Sequence, residues 1–134
     1  MKMNLVTKLQ KKGIIVTEYE SRGEEFRNRW IDTFFDFNYE RRPFLWELFI
    51  GIEKGLQEGK AANEAFNKGN KQYCYIFFQL SNDVFKVEDG SELKAVDLFH
   101  EIGDYSDVYV VDKGFNWTYI VPHERDYGPY FYRK

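Results

Sequence analysis

The sequence predicts an α+β fold, with N-terminal helices packed on a mainly antiparallel sheet formed chiefly by residues 72–122. Apolar residues recur at three- and four-residue spacing between positions 21 and 68, the period of helices with one buried face. From position 72 the pattern changes to short apolar runs separated by Asn, Asp, Ser and Gly, the signature of strands and turns. Helices first and strands afterwards argue for an antiparallel sheet backed by helices, not for alternating βαβ units. At 134 residues, without an internal repeat, the chain is expected to be a single α+β domain spanning 1–134. A chain of this length buries roughly two-thirds of its unfolded surface, so it needs neither disulfide nor metal to hold a core.

Residues 3–12 read as a short helix, with Leu5 and Leu9 one turn apart and Gly13 as its C-cap. Residues 14–18 follow as a strand. Ser21 is the expected N-cap of the next helix, with Glu24 completing a capping box. Phe26, Trp30 and Phe34 form its stripe, widened by Ile31 and Phe35. Pro43 suits the first turn of a second long helix, with Leu45, Leu48, Phe49, Ile52 and Leu56 on its buried face and Trp46 and Ile50 beside them. Gly51, Gly55 and Gly59 recur every fourth residue along it. Close packing inside the monomer is their expected use, with Gly59 ending the helix. Residues 60–68 make a third helix carrying Ala62, Ala65 and Phe66 inward, ending at Gly69.

Residues 72–80 are apolar on both faces, as in a central strand covered on both sides. A turn at 81–83 leads to a hairpin partner at 84–88, and 96–102 reads as one or two helical turns. Residues 107–112 and 117–122 form a second hairpin around 113–116. The tail, with Tyr130, Phe131 and Tyr132 in succession, is expected to dock over the sheet, because three exposed aromatics would be costly.

Composition narrows the function classes. Thirteen Phe, ten Tyr and three Trp are an aromatic surplus that must fill a core, a pocket or a binding surface. The net charge of −3 is unevenly spread: residues 1–72 carry 13 basic and 11 acidic side chains, residues 73–134 carry 6 and 11. The acidic half repels phosphate backbones, which argues against nucleic acid and suits a basic partner. Cys74 is the only cysteine, so no disulfide forms within the chain, and a reducing, cytoplasmic setting is the default. Residues 1–13 lack the apolar run of a signal peptide, and no apolar run approaches the length of a membrane span.

No Gly-x-Ser-x-Gly elbow or Gly-rich phosphate loop is present. The densest polar cluster is 123–127. His123 can act as a general acid or base, oriented by Glu124 or Asp126, although neighbours on extended chain point to opposite faces. The structural alternative is a charged turn. Asp97 and His100 share a helix face, yet a metal site needs three or four ligands and nothing in the spacing supplies them, so neither cofactor nor metal is expected. Cys74, between Tyr73 and Tyr75 in an apolar strand, reads as core.

Residues 107–112 (DVYVVD), Phe115, Trp117, Thr118, His123, Glu124 and 128–131 (GPYF) resemble the C-terminal pattern of a small bacterial family known only as a domain of unknown function. Trp46, Ala62, Ala65 and Phe66 resemble its middle section, and the likeness extends over residues 14–132. The resemblance implies a stand-alone bacterial cytoplasmic protein and carries no activity with it. The leading expectation is therefore a non-catalytic interaction or regulatory domain, such as an immunity-type inhibitor, that contacts a basic protein partner. Its rival is a small-molecule binder or enzyme with a pocket lined by Trp117, Tyr119 and His123. Trp117, Tyr119, His123, Glu124, Asp126 and Tyr130 are the candidate contact residues under both readings. A third reading uses the aromatic surplus as a subunit interface; the oligomeric state is left open.

Overall fold

The computed structural model describes residues 2–19, 22–35, 45–50, 55–99, 107–123 and 127–134. Among these residues, seven strands form one antiparallel sheet, in the order β1-β4-β3-β5-β6-β7-β2. The strands are β1 (Ile15–Tyr19), β2 (Leu56–Glu58), β3 (Tyr73–Phe78), β4 (Val84–Glu88), β5 (Val108–Asp112), β6 (Trp117–Val121) and β7 (Tyr130–Arg133). Helices α1 (Lys2–Lys11), α2 (Gly23–Phe34), α3 (Lys60–Lys68) and α4 (Val96–Phe99), with 3-10 turns at Leu45–Phe49 and Gly90–Glu92, complete the described fold. The chain is α+β, as expected, but its helices are divided between the two faces of the sheet.

That division follows from strand alternation. Cys74, Ile76 and Phe78 of β3 pack with Leu5 and Leu9 of α1, Phe66 of α3 and Leu98 of α4. Phe77, on the opposite face of the same strand, packs with Phe26, Trp30 and Phe34 of α2 and with Trp46 and Phe49. Successive side chains on a strand point to opposite faces, so a strand apolar at nearly every position must be covered twice. β6 meets the same demand: all five of its residues are buried.

Local chemistry sets the ends of the elements. Ile14 N–H bonds to Leu9 C=O at 3.1 Å and Gly13 N–H to Gln10 C=O at 3.0 Å, with Gly13 at φ +83°. This is a Schellman ending, which needs a residue at ease in the left-handed region and brings Leu9 and Ile14 together in the core. Ser21 lies outside the described residues. Arg22 precedes α2 without a side-chain cap and pairs with Glu25 at 2.9 Å. Gly23 starts the helix against the β3–β4 turn, where a Cβ would meet Ser81 O at 2.6 Å. Arg27 holds that turn too, donating to Phe78 O at 3.0 Å and Ser81 O at 2.7 Å.

The second long helix is a correction. Among the described residues of that stretch, Leu45–Phe49 is a 3-10 turn and Leu56 belongs to β2. Pro43, Gly51 and Ile52 lie outside the described residues. Gly55 takes φ +83° and Gly59 φ +66°, so these two glycines serve backbone conformation. A Cβ on Gly55 would meet nothing nearer than Tyr132 Cε1 at 3.5 Å, an ordinary contact, and close packing is not what selects it. Residues 56–58 gain a ladder to β7, with Leu56 opposite Tyr132 and Glu58 opposite Tyr130. Gly59 N–H adds a bond to Pro129 C=O at 2.8 Å and leads into α3.

The tail docks as expected, though as an interior strand between β6 and β2. The Gly128–Pro129 bond ahead of it is cis.

Candidate functional site

Asp107 immediately precedes β5, and His123 lies two residues beyond β6. Pairing of Val108 with Val121 in the hairpin register brings the two residues together. One oxygen of Asp107, Oδ1, accepts the backbone N–H of His123 at 2.7 Å and lies 2.8 Å from its Nδ1. The Asp107 side chain is fully buried, while that of His123 is about one-third exposed, at 29%. Burial pushes the Asp107 carboxyl above the usual carboxylate range; the bonds from His123, its charge, and the Trp46 indole oppose the rise. The contact between Asp107 Oδ1 and Nδ1 fixes the orientation of the imidazole ring.

The 3-10 turn Leu45–Phe49 forms the wall beside this pair. Trp46 is almost wholly buried, with ring centroids of His123 at 6.1 Å, Tyr127 at 5.5 Å and Tyr130 at 6.4 Å. Its backbone N–H donates to the Tyr109 hydroxyl at 3.0 Å, and that hydroxyl donates to Gln79 Oε1. Leu45 N–H donates to the same Gln79 oxygen at 2.9 Å. Burial, then the negative charge of Asp107, raises the Tyr109 phenol well above its ordinary value, so it stays a neutral donor. The result is a rigid polar corner where β3 and β6 end and β5 begins. It can orient an imidazole, and it also clamps the chain that leaves β6.

The other candidates divide. His123 and Tyr130 meet at Trp46. Glu124 and Asp126 lie outside the described residues. Trp117 and Tyr119 belong to the opposite core, where Tyr119 stacks on Phe66 at 4.2 Å and donates to Asn63 Oδ1 at 2.6 Å. Trp117 and His123 stand six residues apart, about 20 Å along an extended chain at roughly 3.3 Å per residue. The pocket expected from Trp117, Tyr119 and His123 together is therefore not formed. Trp117 instead lines a pocket of about 360 Å³ at the far end of the sheet, with Asn70, Tyr73, Lys113, Asn116 and Arg133.

His100 lies outside the described residues. Asp97 is used structurally: its Oδ2 accepts Lys12 Nζ at 2.7 Å and Lys94 N–H at 2.9 Å, tying α4 to α1. Cys74 is buried, and desolvation pushes its thiol up to about 12. Among the described residues, no three His, Cys, Asp or Glu side chains are placed to hold a metal ion. No described helix is long and apolar enough to cross a membrane.

A family model described as "Domain of unknown function (DUF4275)" matches residues 3–131. The chain belongs to that family. The match takes in every element from α1 into β7, and so the whole Asp107–His123 corner of this DUF4275 domain. No curated protein and no solved structure matches the chain.

Sequence reading missed Asp107 and Trp46 as site residues because their partners are distant in the chain. Asp107 reads locally as a polar residue opening a strand, and Trp46 as one more apolar position in a helix. The usable signal was the hairpin register: once 113–116 is placed as the turn, Asp107 falls opposite Pro122 and beside His123.

Proposed function

We propose that this DUF4275 domain is a non-catalytic interaction module that binds a basic protein partner in the bacterial cytoplasm. The reading is carried by two exposed apolar side chains flanking the rigid corner: Leu80, 74% exposed, and Tyr127, 40% exposed. Leu80 follows Gln79, which is bonded to Leu45, and Tyr127 packs against Trp46, so residues 45–46 lie between them. Exposed apolar groups on a preorganised scaffold give a partner contact area at little ordering cost. The acidic excess of residues 73–134 supplies long-range attraction for a basic partner, as an immunity-type inhibitor would use.

The test is affinity capture from native lysate with three baits: the wild-type domain, Leu80→Asp and Tyr127→Ala. A stoichiometric partner held by the wild type and released by both variants is the expected result. A partner retained by both variants would sink this surface, and a wild-type bait that captures nothing would sink the reading as a whole. A second reading, a small-molecule binder or enzyme acting through His123, draws on the Asp107–His123 contact. It expects His123→Ala to abolish function while thermal stability stays close to that of the wild type.

A further inference from the structure

At the opposite end of the sheet, the open pocket lined by Trp117 gathers side-chain amides and cations. It lies where the chain leaving α3 meets the β5–β6 hairpin, and its volume of about 360 Å³ falls in the range of ligand pockets. Asn70, Gln72 and Asn116 contribute side-chain amides to its lining, and Lys113 and Arg133 contribute two positive charges.

The oxygens of its single carboxylate, Asp112, are already hydrogen-bonded. Oδ1 accepts Asn116 N–H at 2.6 Å and Trp117 N–H at 3.0 Å, while Oδ2 accepts Asn116 Nδ2 at 3.0 Å. Both oxygens thus serve the hairpin turn. The two cations rest over aromatic faces instead: Lys113 Nζ is 5.4 Å from the Tyr73 ring centroid, and the Arg133 guanidinium is 5.8 Å from that of Phe131. Among the described residues, neither forms an ion pair with a carboxylate.

The lining is also held in place by backbone bonds. Lys113 N–H donates to Tyr73 C=O at 3.1 Å, and Lys134 N–H to Asn116 C=O at 3.1 Å. Trp117 is fixed between Phe66 and Phe131, with centroids at 5.9 Å and 5.5 Å.

We propose that this pocket binds a small organic anion, its carboxylate or phosphate held by Lys113 and Arg133 and its polar body by the amides of Asn70, Gln72 and Asn116. Guanidinium and ammonium groups both serve such anions, and the neutral rings beneath them leave their charge uncancelled.

The inference is tested by titrating the isotope-labelled domain, at low ionic strength, with inorganic phosphate, phenyl phosphate, benzoate and neutral benzamide, following amide and indole resonances. Saturable shifts centred on residues 113, 116 and 117 with at least one anion, and none with benzamide, are expected. A stronger response to phenyl phosphate would identify a phosphate ligand; a stronger response to benzoate, a carboxylate. The double variant Lys113→Gln/Arg133→Gln, its other resonances unchanged, should raise Kd at least tenfold, while Lys11→Gln on α1 leaves it unaltered. Failure of every anion to saturate, or an unchanged Kd in the double variant, would overturn the proposal.

Discussion

The bond most open to quantitative test joins helix to sheet through the core. Trp30 Nε1 of α2 donates to Thr118 Oγ1 of β6 at 2.9 Å, and the Thr118 hydroxyl donates onward to Val110 C=O at 3.0 Å. Both side chains are completely buried. Thr118→Val preserves shape but orphans the indole N–H, a loss of about 1–3 kcal/mol, and removes one further bond worth about 1 kcal/mol. Trp30→Phe removes the donor together with part of the packing against Phe49 and Tyr109, about 2–3 kcal/mol. In the Trp30→Phe background, Thr118→Val forfeits only the bond to Val110. The double-mutant cycle should therefore report a coupling of about 1–3 kcal/mol. At about 2.1 cal/mol/K per residue, a chain of 134 residues loses about 3.5 °C in Tm per kcal/mol, so the coupling amounts to about 4–11 °C. Urea unfolding of the four proteins should be followed by far-ultraviolet circular dichroism, since fluorescence changes once Trp30 is removed. Additivity within about 0.3 kcal/mol would show that the indole and the hydroxyl do not depend on each other, and would refute the argument.

Two further outcomes are expected. Lys71 is buried and donates to the carbonyls of Phe66, Asn67 and Gly69 at the end of α3; burial, then the like charge of Lys94, lowers its ammonium to about 8. A base whose folded pKa lies below its unfolded value binds fewer protons when folded, so stability should rise between pH ~8 and ~10.5 relative to Lys71→Met; a constant difference in urea midpoint across that window would contradict this. Cys74, buried with its thiol pushed up to about 12, should resist iodoacetamide at pH 8 in the folded protein and react promptly in denaturant, as read by intact mass; prompt labelling under native conditions would show an accessible thiol.

Elements whose signals are local were the legible ones. Gly13 after Leu9 announced the end of α1, the Phe26–Trp30–Phe34 spacing announced α2, and the two-faced run of β3 announced a covered central strand. The region 43–56 misled because Leu45, Leu48, Phe49 and Leu56 share helical spacing while answering to different neighbours. Phe49 packs beside Trp30 and Tyr132, whereas Leu56 enters a three-residue ladder with β7, too short for an alternating pattern to declare itself. The same limit applied at the candidate site. His123 could be named as a polar group after a strand, but Asp107 gains its role only from hairpin register, and Trp46 only from the packing of a 3-10 turn against His123, Tyr127 and Tyr130.

The placement of β2 has a consequence for the order in which the fold assembles. Its hydrogen-bonded neighbour among the strands is β7, and more than 70 residues of chain separate Glu58 from Tyr130. Closing a loop of that length costs about 4 kcal/mol in chain entropy, against about 1 kcal/mol for the four-residue turn of the β5–β6 hairpin. Three residues of ladder cannot offset that cost alone. The hairpin is therefore expected to form early and β7 to add to β6, with β2, which has only a three-residue ladder, adding late on an edge already built for it. By the same reasoning β2 should detach readily, so hydrogen exchange at residues 56–58 should run ahead of exchange at β6.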